Sequence, residues 1–221
     1  MKRHINIALD GPSGSGKSTV AKMLSEKLDI LYLDTGAMYR AAACKAMELG
    51  IDTLDEKGVS SFIGNLDLSI RYIDGAQHTF LDGKDVSERI RKPEVSMAAS
   101  NISSLKCVRL KMVAMQRKIA ASMSCILDGR DIGSYVLPDA EYKFYVTADA
   151  KVRTARRQKE LKERGFEVDF DQLLAEIEQR DFNDKNRDFA PLVQAKDAVL
   201  IDTSSLSVEE VAEKILSFIE R

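Results

Sequence analysis

Five apolar runs of strand length punctuate the chain: Ile5-Asn6-Ile7-Ala8-Leu9, Ile30-Leu31-Tyr32-Leu33, Cys125-Ile126-Leu127, Tyr142-Lys143-Phe144-Tyr145-Val146 and Ala198-Val199-Leu200-Ile201-Asp202. They are too short for helices and apolar on successive positions, which predicts strands buried on both faces. Helical spacing follows each. It covers Val20 to Leu28, the alanine-rich segment from Ala37 closed by Gly50, a segment from Val95 to Ile119 behind Pro93, Asp149 to Arg164 with Gly165 after it, Phe170 to Asn186, and Val208 to Ile219 behind Ser207. Strands alternating with helices predict an α/β fold, a five-stranded parallel sheet flanked by helices.

One stretch departs from that rhythm. Leu66, Leu68 and Ile70 alternate with Asp67, Ser69 and Arg71, then Asp74-Gly75 and Asp82-Gly83 bracket Thr79-Phe80-Leu81. Alternation predicts strands with one wet face, and the Asp-Gly pairs predict tight turns, so an antiparallel excursion interrupts the parallel order. It is inert decoration or a mobile substrate clamp. Met97, Met112 and Met115 fall at helical spacing and are expected in the core.

At 221 residues the chain fits one domain, 1–221, with small excursions. Thirty-three basic residues stand against thirty-five acidic ones, which excludes a global attraction to nucleic acid or an acidic membrane and makes any anion site local. Cys44, Cys107 and Cys125 are odd in number and lack metal-type spacing, as suits a reducing compartment. No apolar run reaches spanning length and the N-terminus carries no signal-peptide pattern, so a soluble cytoplasmic protein is expected.

Between the first strand and the first helix lies Gly11-Pro12-Ser13-Gly14-Ser15-Gly16-Lys17-Ser18-Thr19, which fits G-x-x-x-x-G-K-[ST], a P-loop. Glycines let backbone N–H groups converge on phosphate oxygens, and the helix adds its positive dipole end. Lys17, expected as a surface-loop cation, adds charge, and Ser18 offers a hydroxyl to magnesium. A nucleoside triphosphate with magnesium is therefore the expected ligand.

Polar residues also gather where other apolar runs end. Asp34-Thr35-Gly36 ends the second, with Arg40 in the next helix; Asp128-Gly129-Arg130-Asp131-Ile132-Gly133 ends the third. Such loops are charged turns or, at the carboxyl edge of an open sheet, substrate contacts. Arg153, Arg156 and Arg157 are expected on one helix face, either solvated or as a lid over triphosphate, and Arg180, Asp184 and Arg187 as a single stripe in which the carboxylate holds both guanidiniums. Spacing does not say whether Ser100, Asn101, Arg109 and Arg117 face a ligand. His4 and His78 stand alone, and no Ser-His-Asp or metal-ligand cluster is visible.

Together the P-loop, Asp34 to Arg40, Asp128 to Gly133 and the late Arg180-Asp181 to Asn186-Arg187 segment resemble the bacterial cytidylate kinase family of P-loop nucleoside monophosphate kinases, over essentially the full length. The resemblance implies transfer of a phosphoryl group from ATP to CMP or dCMP, with Mg2+, by a monomer with a core, a monophosphate-binding insertion (64–92) and a short helical lid (151–168). It assigns Gly11 to Thr19 to ATP and Ser18 to the metal. Lys17, Arg130, Arg153, Arg157 and Arg187 become the catalytic cations. Arg40, Arg130 and Arg187 are implied for the acceptor phosphate, Arg180 and Asp184 for the sugar, and Ser100, Arg109 and Asp131 for cytosine. Thr35 stands where some members are expected to have serine. A GTP-hydrolysing switch is the rival class, but the chain has no N-K-x-D stretch; a kinase of AMP or shikimate is the nearer rival, against which the Asp128 to Gly133 segment and the antiparallel piece count.

Overall fold

The computed structural model describes residues 4–219; the ends of the expected 1–221 domain lie outside the described residues. Contacts divide the chain into two compact units, one built from the chain up to Tyr32 and again from Met123 onward, the other from Leu33–Ser122.

The discontinuous unit holds the predicted parallel sheet apart from the last two residues of its β2 strand. Strands β1 (Asn6–Asp10), β2 (Leu31–Asp34), β6 (Cys125–Gly129), β7 (Tyr142–Thr147) and β8 (Val199–Asp202) are ordered β2-β6-β1-β7-β8. β1 pairs in parallel with β6 and β7, and β7 with β8. The chain leaves β1 toward one edge and leaves β6 for the other, so the order reverses at β1, where open α/β sheets bind ligands. Helices α1 (Lys17–Leu28) and α8 (Val208–Ile219) close the core over Ile7, Leu9, Phe144 and Ile201 with Val20, Leu24, Val211 and Ile215. Helices α6 (Ala150–Glu163) and α7 (Phe170–Asn186) share a smaller cluster of Leu161, Leu173 and Ile177 with Val168 against it. Caps fix these ends: Asp149 accepts from Lys151 N and Asp169 from Gln172 N.

Leu33–Ser122 packs around α2 (Thr35–Glu48), whose Ala37, Ala41, Ala42 and Ala43 are buried and let neighbours approach closely. Strands β3 (Leu68–Ile73), β4 (Ala76–Leu81) and β5 (Lys84–Asp85) form the expected antiparallel sheet. Its two turns carry positive φ at Asp74, Gly75, Asp82 and Gly83, the type I′ signature that Asp-Gly supplies. Leu68, Thr79 and Leu81 face inward, while Arg71 lies 4.3 Å over the Phe80 ring on the other face.

Three local features differ from the sequence reading. A short helix, α3 (Glu56–Ile63), had no clear periodicity because only Val59 and Ile63 are buried. The segment after Pro93 is two helices, α4 (Pro93–Ser104) and α5 (Lys106–Ser122), broken where Leu105 turns extended. Met112 is buried as expected, but Met97 is 40% exposed, at a helical position that points away from the core. Cys44, Cys107 and Cys125 are free thiols, and no helix among the described residues is long and apolar enough to cross a membrane.

Ser207 and Glu210 form a reciprocal cap on α8: Glu210 N donates to Ser207 Oγ at 3.1 Å and Ser207 N to Glu210 Oε2 at 2.8 Å. Ser207→Ala is expected to cost about 1 kcal/mol, lowering the thermal midpoint by about 2–4 °C in a chain this long. Calorimetry checks this, and no change would mean α8 holds its end without the box.

Candidate active site

The P-loop is shaped by contacts that leave room for nothing larger than hydrogen at its start. Gly11 has φ 143, and a Cβ there would lie 1.9 Å from the Val146 carbonyl oxygen. Gly16, with φ 87, sits at the N-cap of α1 and supplies no side-chain cap, so the first-turn N–H groups are left for an anion. Ser15 Oγ donates to Pro12 O at 3.0 Å, bracing the loop from inside.

Lys17 corrects an expectation. It is no surface cation: it is 5% exposed, and its Nζ donates to Pro12 O at 2.6 Å and to Ser15 Oγ at 3.2 Å. Burial, then the nearby Arg130, pull its pKa down to about 7, against the opposing carboxylates of Asp128, Asp10 and Asp184. Ser18 is exposed at the helix start and donates to Asp128 Oδ2 at 2.5 Å, an oxygen that also accepts from Tyr32 OH at 3.2 Å. A hydroxyl and a carboxylate are hard oxygen donors of the kind Mg2+ takes, so this pair fits such an ion. Thr19 is exposed. No group of three or more His, Cys, Asp or Glu among the described residues is arranged to hold a metal by itself.

A buried ionic network lies around the end of β6 and the end of α7. Arg130 Nε donates to Asp184 Oδ2 at 2.7 Å; Arg187 lies 3.9 Å from Asp184 Oδ1 and donates to Asp131 Oδ1 at 3.3 Å and to Ala190 O at 2.6 Å. Burial alone would raise the Asp184 pKa, but Arg130, Arg180 and Arg187 together hold it below the usual carboxylate value. Burial likewise opposes the charge on Arg130, and Asp184, Asp128 and Asp181 together more than offset it. The expected stripe gains a member from far away in sequence: Asp184 pairs with Arg130 as well as with Arg187, and the charge of Arg180 acts on it too.

The three arginines of α6 do not share one task. Arg153 is buried, bridged to Asp181 at 2.7 Å and donating to Ala148 O at 2.9 Å and to the P-loop carbonyl of Ser13 at 3.1 Å. Arg156 donates to Thr203 Oγ1 at 3.0 Å and Thr203 O at 2.6 Å, and Arg157 to Glu160 Oε2 at 2.7 Å. Their long side chains reach in different directions from neighbouring helical positions.

The other predicted residues belong to Leu33–Ser122. Asp34 caps α2 by accepting from Ala37 N at 2.9 Å, and Gln77 holds its backbone N–H at 2.8 Å. Its Oδ2 accepts from Arg40 at 2.7 Å and from Arg91 at 3.0 Å. Burial would raise the Asp34 pKa, and the two arginines overcome that. Thr35 opens α2 and is buried; a Cβ at Gly36 would meet Arg40 Nη1 at 2.9 Å. Arg109 is 1% exposed, its guanidinium 5.6 Å over the Tyr39 ring and donating to Ser103 O at 3.4 Å. Ser100 is buried with no hydrogen-bond partner for its hydroxyl among the described residues.

Sequence reasoning missed Asp34, Asp128 and Arg91 as organisers of charge. Two of them were in view: Asp34 is the last residue of its strand and Asp128 lies at the end of its own, the position where open sheets present polar groups.

The chain is similar to known proteins over nearly its whole length. The profile of the Cytidylate kinase family matches residues 7–221. A cytidylate kinase of Caldicellulosiruptor bescii is 50% identical over 214 residues, covering 97% of this chain and 95% of its own. One from Clostridium botulinum (strain Loch Maree) is 44% identical over 218 residues, covering 99% of both. A solved structure of an uncharacterised protein from Eubacterium ventriosum has a TM-score of 0.54 at 16% identity over 98% of this chain and 99% of that one, a likeness of fold alone. With a profile spanning nearly every residue and relatives similar over their whole length, this chain belongs to the cytidylate kinase family.

Proposed function

We propose that the protein transfers the γ-phosphoryl group of ATP to CMP or dCMP, giving ADP and the nucleoside diphosphate, with Mg2+. The observation that carries this reading beyond family membership is the network in which Asp184 and Asp131 hold Arg130 and Arg187, close enough to Lys17 to act on its charge. An oxygen of the acceptor phosphate attacks the γ-phosphorus while the bond to the β–γ bridging oxygen breaks, so no protein nucleophile is required. What the reaction needs is cations already in place, because two nucleotides brought together carry several negative charges.

Lys17 and the uncapped start of α1 suit the triphosphate of ATP, with Gly11 to Thr19 as its loop. Ser18, backed by Asp128, suits Mg2+, which would neutralise charge on the β- and γ-oxygens. Arg40, Arg130 and Arg187 are proposed for the acceptor phosphate, Arg180 and Asp184 for the sugar, and Ser100, Arg109 and Asp131 for cytosine, with Thr35 alongside. Arg153 and Arg157 are proposed as lid cations, with 64–92 as the monophosphate-binding insertion and 151–168 as the lid. Cytosine presents an amino donor beside ring acceptors, whereas uracil reverses the pattern at C4 and N3; a carboxylate at Asp131 and a guanidinium at Arg109 answer the first.

Turnover measured on a panel of monophosphates tests this reading. CMP and dCMP are expected to exceed UMP in kcat/KM by on the order of a thousandfold, and equal values for CMP and UMP would sink the base assignment. Lys17→Met is expected to lower kcat/KM by about a hundredfold to a thousandfold with the far-ultraviolet spectrum unchanged; retained activity would remove Lys17 from the chemistry. Asp128→Asn weakens the support of Ser18 and is expected to raise the Mg2+ concentration for half-maximal turnover by about tenfold or more, a shift that a magnesium titration reads directly.

A further inference from the structure

Asp10 has no part in the assignments above, yet it is among the most tightly held carboxylates of the chain. It ends β1, directly before Gly11, and is 4% exposed. Its two oxygens accept separate backbone N–H groups: Oδ1 from Ile132 and Oδ2 from Gly133, each at 2.7 Å. Those residues open a single π turn, Ile132–Val136, that starts immediately after Asp131. The same turn closes back on Asp131, whose carbonyl accepts from Tyr135 N at 2.9 Å and Val136 N at 3.0 Å.

Gripping two consecutive N–H groups with two oxygens fixes both the position and the rotation of the backbone leaving Asp131. The grip is close-fitting, since a Cβ on Gly133 would lie 3.2 Å from Lys143 Cδ and 3.4 Å from Asp10 Oδ2. Tertiary strength alone explains it poorly. Burial pushes the Asp10 carboxyl up to about 7, with the charge of Asp131 adding to that, against the two N–H groups and Lys17, which pull it down. Holding the carboxylate there therefore costs folding stability at neutral pH.

We propose that Asp10 is a positioning residue for recognition of the acceptor base: by clamping Ile132 N and Gly133 N it sets where Asp131 presents its carboxylate. The strand that feeds the triphosphate loop thereby also sets which base the acceptor must carry. This rests on the reading of Asp131 as a cytosine contact. The charged and titratable groups around the clamp are Lys17 at the start of α1, Asp131 itself, and Lys143 and Tyr145 on β7. Above its pKa the carboxylate accepts both N–H groups; once protonated, one oxygen carries a hydrogen against an N–H and the clamp loosens.

The test compares kcat/KM for CMP with that for UMP in the unmodified chain, Asp10→Asn and Asp131→Asn, at about pH 8 and about pH 6, either side of the Asp10 value. The two nucleotides carry the same phosphate, so its titration cancels in the ratio. In the unmodified chain the preference is expected to fall from the higher pH to the lower. Asp10→Asn, which puts an amide donor against one N–H, is expected to lower the preference about tenfold at the higher pH and to flatten its pH dependence, with the thermal midpoint checked for folding. A normal preference in Asp10→Asn beside a lowered one in Asp131→Asn overturns the clamp while leaving the cytosine reading intact. A normal preference in Asp131→Asn overturns that reading and the inference with it. Should Asp10→Asn fail to fold, the unmodified chain still decides, because a preference that stays level across the two pH values overturns the proposal.

Discussion

The ion pair of Arg130 with Asp184 holds together the buried charges around the ends of β6 and α7. The arginines proposed to meet phosphates are gathered without a ligand, and buried guanidiniums repel one another unless carboxylates stand between them. Asp184 performs that task for Arg130 and Arg187, Asp34 for Arg40 and Arg91, and Asp181 for Arg153. Removing one partner from a buried pair such as Arg153 with Asp181 leaves an uncompensated buried charge, at about 3–5 kcal/mol, whereas water screens the more exposed Arg91. Each carboxylate is thus as necessary as the cation it restrains, although none needs to touch the reacting atoms. Preorganisation of this kind would let the proposed site stabilise developing charge without rearranging at the moment of transfer.

Much of the fold was legible because local chemistry and global position agree. The five strands announced themselves by length and near-continuous apolarity, and the two hairpin turns by Asp-Gly pairs that do adopt positive φ. The edge strand β8, however, is not buried on both faces as expected and leaves Leu200 exposed. The caps at Asp149 and Ser207 stand where the sequence placed them. What escaped was whatever depends on distant residues. Lys17 reads as a loop cation until the carbonyl of Pro12 folds over it. The break at Leu105 carries neither glycine nor proline, and α3 buries too little to show a period.

The candidate site followed the same division. Residue types and strand ends were readable, and the P-loop most of all, because its pattern is compact in sequence. Pairings were not: Arg130 and Asp184 meet across 54 residues, and helical spacing alone joined Arg153, Arg156 and Arg157, which the structure sends to three different partners. Periodicity reports the direction of the Cα–Cβ bond, whereas a guanidinium sits at the end of a long flexible stem and answers to whichever acceptor it reaches.

The placement of β1 carries a consequence for how the chain reaches this state. Asn6–Asp10 is the middle strand, yet both of its neighbours are made late: Asn6 lies opposite Cys125, 119 residues further on. During synthesis the P-loop and its helix emerge first with no sheet to join, while Leu33–Ser122 has its own core and can assemble around α2 in the meantime. Non-local parallel pairing is slow because the loop must close before its contacts form. The P-loop, translated well before the strands that flank β1, is therefore among the last parts to acquire its shape, and an unpaired apolar strand is the segment that a nascent chain must keep from aggregating.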